Sequence, residues 1–148
     1  MMINMIEKDT VRLLRECDAG VKMGITSIGD SVKYVKNPEL KDILEHSLDE
    51  HKHIKEDMQK LLDQYHDDGK EPAAMAKGME WFKTKVTLAA APSDDAVADF
   101  ITDGCNMGIK SLSRYLNQYK AADERSKDIS KKLISEEDHL STQVRQFL

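Results

Sequence analysis

Two short motifs hold the side chains needed for metal chemistry. Glu50-His51-Lys52-His53-Ile54 and Glu136-Glu137-Asp138-His139-Leu140 both read Glu-x-x-His followed by a branched aliphatic residue. On a helix, positions i and i+3 share one face, so Glu50 with His53, and Glu136 with His139, can each reach a common ion. A carboxylate with a neutral imidazole is a ligand set for iron, manganese or zinc. Two such pairs on facing helices can enclose a two-metal centre. The same residues also suit a plainer role. Glu50 and Glu136 stand about 60° from the middle of their apolar stripes, and each histidine about 60° further out, where solvated helix salt bridges are common. His46 and His51 read as ordinary helix residues. No nucleophile–base–orienter set for hydrolysis is visible.

Helices must position these motifs. Val11, Leu14, Asp18, Val21, Ile25, Ile28, Val32 and Val35 are spaced by threes and fours, a continuous seam with one acidic residue inside it. Asn37-Pro38 ends this first helix and starts a second, with Asn37 as cap and Pro38 in the first turn. The second helix carries Leu40, Ile43, Leu44, Ile54, Met58, Leu61 and Leu62, and stops near Asp67-Asp68-Gly69. A shorter amphipathic helix is predicted over Met75–Val86. Ser93 caps a third long helix with Val97, Ile101, Cys105, Gly108, Leu112, Tyr115 and Tyr119 on one face. The last runs from about Ser126 through Ile129, Leu133, Leu140, Val144 and Phe147. The expectation is an all-α four-helix bundle over residues 1–148, pairing first with second and third with fourth, plus the short crossover helix. Long helices of about 35–48 Å follow from a rise of roughly 1.5 Å per residue.

Gly20-Val21-Lys22-Met23-Gly24-Ile25-Thr26-Ser27-Ile28 resembles Gly104-Cys105-Asn106-Met107-Gly108-Ile109-Lys110-Ser111-Leu112. A two-helix unit used twice accounts for this, as does chance similarity between amphipathic helices. The four glycines suit close helix approach. With no strand before them, they do not suit a phosphate loop.

The helix order, the Glu-x-x-His motifs on the second and fourth helices and the long crossover resemble the ferritin-like superfamily, closest in spacing to its rubrerythrin branch. The resemblance covers nearly the whole chain. It implies non-haem metal binding by Glu50, His53, Glu136 and His139, with oxygen or peroxide chemistry if two irons bind. Family members also supply a glutamate from the first helix about 33 residues before the second-helix motif. That position falls on Cys17 or Asp18, and Asp18, inside the apolar seam, is the better candidate. The equivalent on the third helix falls near Asp103, about 160° around the helix from Cys105 and on the outer side. This departure leaves three alternatives: an incomplete site, a single metal, or a lost site in a metal-free structural or interaction protein. Cys17 and Cys105 could join the ligands, which would favour zinc. No paired-cysteine rubredoxin segment is present.

Composition narrows the classes further. The 148 residues include 22 Lys+Arg and 27 Asp+Glu, a formal charge of −5, with 40% hydrophobic and 5% aromatic residues. No basic block is available for nucleic acid. Two cysteines do not make a disulfide framework, which points to a reducing cytoplasm. The opening residues show no basic region followed by an apolar stretch, so no signal peptide is expected. The expected protein is soluble and cytoplasmic, pairs with itself through helix faces, and uses neither nucleic acid nor membrane.

Overall fold

A computed structural model describes residues 2–72 and 92–148, together with Lys83. The described secondary structure is entirely helical: α1 (Met2–Val32), α2 (Pro38–Asp63), α3 (Asp94–Gln118) and α4 (Glu124–Val144), then one 3-10 turn at Arg145–Phe147. With a rise of roughly 1.5 Å per residue the helices span about 31–46 Å. The short helix predicted over Met75–Val86 lies outside the described residues.

Local chemistry sets the helix starts. The Asn37 side chain accepts hydrogen bonds from the backbone N–H groups of Glu39 and Leu40, at 2.9 and 3.2 Å, and Pro38 occupies the first turn. Ser93 accepts from Ala96 N at 3.3 Å, and Asp123 from Ser126 N at 2.8 Å. The Asp94 carboxylate also accepts from Lys36 N at 2.8 Å, tying the start of α3 to the turn between α1 and α2. At its far end α2 stops at Asp63, a few residues before the predicted Asp67-Asp68-Gly69 signal.

α1 packs most extensively on α2, and α3 on α4; α2 meets α4 and α1 meets α3, closing a four-helix bundle. Its apolar interior falls into two clusters. One gathers Ile28, Leu40, Leu44, Phe100, Ile101, Cys105 and Leu140. The other gathers Leu14, Cys17, Val21, Ile54, Met58, Leu112 and Leu133. Between them every helix leaves a gap in its apolar seam. The gap holds Gly24 on α1, between Val21 and Ile28, and Ser47 and His51 on α2, between Leu44 and Ile54. On α3 it holds Gly108, between Cys105 and Leu112, and on α4 Glu137, between Leu133 and Leu140. The bundle therefore has a polar layer at mid-height.

Candidate functional site

The centre of that layer is an acid–imidazole pair. His51, fully buried, places Nε2 2.6 Å from Glu137 Oε1, and Glu137 is only 8% exposed. On the other side of the ring, Nδ1 lies 2.7 Å from the Ser47 backbone carbonyl. Both nitrogens face oxygen atoms, an arrangement that favours the charged imidazolium. Ser47 Oγ donates to Glu136 Oε1 at 2.9 Å, bringing a second carboxylate to the edge of the layer.

Burial pulls the His51 pKa down, but the hydrogen bond and charge of Glu137, the Ser47 carbonyl and the Glu136 charge together raise it above its ordinary value. The sign of the stability effect follows. A raised folded value makes the stabilisation fully present below the ordinary 6.5 and lost as pH rises through the folded value. The unfolding free-energy difference between the parent and His51→Gln should therefore narrow from about pH 6 to about pH 9 in urea titrations. A gap that widens over that range would mean the ring is not charged.

The glycines of the repeat flank this pair. A Cβ on Gly24 would stand 2.8 Å from His51 Cδ2, so the ring occupies the space a side chain would take. Opposite, a Cβ on Gly108 would stand 3.5 Å from Glu137 Oε2, an ordinary contact. Gly104 has nothing within 4 Å of that position, and Gly20 only Leu112 at 3.9 Å. Close approach thus explains Gly24 alone. Each of the others gives up about 1 kcal/mol relative to alanine inside a helix and keeps space open instead. That space is an apolar cavity of about 550 Å³ between α1 and α3, which reaches Glu137.

The five residues expected as metal ligands are placed differently from this pair. His53 and His139 are exposed, while Glu50 and Glu136 are half-buried. Of the five, Glu136 reaches the edge of the central layer, through Ser47. Asp18 is fully buried, as a seam position requires, but it sits in the cluster beyond the layer. Its Oδ2 accepts from Lys22 Nζ at 2.7 Å and from Lys70 N at 3.0 Å, while Oδ1 has no partner. Asp103 is half-buried.

The two cysteines are buried in different clusters. Burial pushes the Cys17 thiol up to about 12; the Ser130 hydroxyl, 3.0 Å away, works against this, and the Glu16 and Asp18 charges add to it. Burial, then the charge and hydrogen bond of Glu137, push Cys105 well up too. Lying in different clusters, the two thiols are not brought to one ion.

The residues present do not fit a di-metal centre. The α1 and α3 positions that face the layer are glycines, which offer an ion no side-chain ligand, and the imidazole that faces it is already held by Glu137 and the Ser47 carbonyl. Among the described residues, no group of three or more His, Cys, Asp or Glu side chains is arranged to hold a metal ion. Spacing rules contained the signal that both members of this pair face inward, though not that they meet. Leu44, Ser47, His51, Ile54 and Leu133, Glu137, Leu140 run in steps of three and four, so His51 and Glu137 fill the gaps in their seams.

Fold and site together define a class: a helical bundle with one charged layer between two apolar clusters. Compared with protein families, curated proteins and solved structures, the chain finds no match. Among the described residues, no helix is long and apolar enough to cross a membrane.

Proposed function

We propose that the chain is a ferritin-like bundle in which an ion pair stands where a di-metal centre would be, and that it acts by binding rather than by redox chemistry. One observation carries this reading: the buried His51 ring is held on both sides, by Glu137 and by the Ser47 carbonyl, opposite glycines on α1 and α3. An ion in that layer would have to displace a buried hydrogen bond and would find no side-chain ligand at the α1 and α3 glycines.

Elemental analysis of protein purified from cells supplied with iron, manganese and zinc tests this. The expected content is below about 0.2 metal per chain, since a tight site would fill further. In Glu50→Ala/Glu136→Ala the melting temperature should not respond to added metal. About one or two metals per chain in the parent, lost in that double variant, would overturn the proposal. It would restore a centre built from Glu50, His53, Glu136, His139 and Asp18.

A further inference from the structure

We infer that the cavity between α1 and α3 is a binding site for an uncharged, mainly apolar small molecule with a hydroxyl or amide donor, seated against Glu137. This rests on the binding reading above and assigns its ligand class.

Size is the first ground. The cavity holds about 550 Å³, within the roughly 300–1,000 Å³ of small-molecule sites. Its walls are apolar, with Phe100, Leu112 and Leu140 among them. Gly20, Gly104 and Gly108 lie along it, and at none of the three would a Cβ come nearer than 3.5 Å to a neighbour. Packing therefore tolerates side chains that the sequence leaves out. What their absence preserves is room.

Charge selects the head group. Three charged side chains line the cavity: Glu16 and Lys70 pair with each other at 2.6 Å, and Glu137 pairs with His51 behind the wall. A carboxylate, sulfate or phosphate head would meet the like charge of Glu137 against apolar walls, which is unfavourable. A cationic head gains little, because His51 already balances that carboxylate. A neutral donor satisfies a carboxylate lone pair without bringing in a charge. It is the head that costs least to desolvate there.

The test uses the full chain, N-phenyl-1-naphthylamine as fluorescent reporter and three competitors of one chain length. Decan-1-ol should displace the reporter at least about tenfold better than decanoate, and better than the methyl ether of decanol, which cannot donate. Gly104→Leu should weaken reporter binding at least about tenfold while keeping helical circular dichroism and melting temperature, since it enters open space and raises helix propensity. Equal binding by that folded variant, or decanoate competing best, overturns the inference. No reporter binding by the parent overturns it too. Either result leaves the metal-free reading standing, because elemental analysis decides that separately.

Discussion

His51→Ala should lower the unfolding free energy by about 3–5 kcal/mol, the usual cost of removing one partner from a buried ion pair. The size comes from what remains behind. Glu137 would keep a charge at 8% exposure with its 2.6 Å partner gone, and the Ser47 carbonyl would keep only its backbone helix bond. Against a total stability of roughly 5–15 kcal/mol, such a variant stands close to unfolding at ambient temperature. The double variant His51→Leu/Glu137→Leu should behave in the opposite way. Removing both charges together removes the desolvation penalty with the attraction, so its stability should fall within about 1 kcal/mol of the parent or above it. Urea titrations followed by circular dichroism measure both. A cost under about 1 kcal/mol for His51→Ala would mean water reaches the pair, which would then be no part of the core. If the double variant proved as unstable as the single, the layer would matter for its shape and not for its charges.

Much of this was readable in the residues, and what was not has a physical cause. Asn37 and Ser93 cap the helices they were expected to cap, because a cap is a local contact between a side chain and the next turn. Asp18 lies buried because its seam position requires it, whatever its role. The central pair is another matter. Glu-x-x-His draws the eye to His53 and His139, yet two residues along a helix is about 200°, so with His51 turned inward His53 must turn out. Spacing by threes and fours leaves a helix free to rotate by about one residue, and only packing against the other three settles it. Nor does any spacing rule say that an acid on α4 will meet a histidine on α2, 86 positions earlier. The repeated glycines were visible, but their work differs by position. Gly24 makes room for a ring from another helix, and Gly104 makes room for no protein atom within 4 Å.

Gly69→Ala should cost about 3 kcal/mol, although the residue lies in a turn and contributes no side chain. Its φ of +89° belongs to the left-handed region, where an L-residue pays about 1–2 kcal/mol. A Cβ there would also collide with the Asp18 carboxylate. Asp18 has nowhere to go without loosening its 2.7 Å contact with Lys22 and its 3.0 Å bond from Lys70 N, so the collision adds about 1–3 kcal/mol. Gly29→Ala in α1, which meets nothing within 4 Å, is the matched control and should stabilise by about 0.5–1 kcal/mol through helix propensity. The coupling is the sharper measurement. If the collision with Asp18 is real, Asp18→Ala/Gly69→Ala costs less than the two single variants summed, because the first change removes what the second strikes. Strict additivity would leave backbone strain as the whole effect, and the turn after α2 would be independent of the acid buried beneath it.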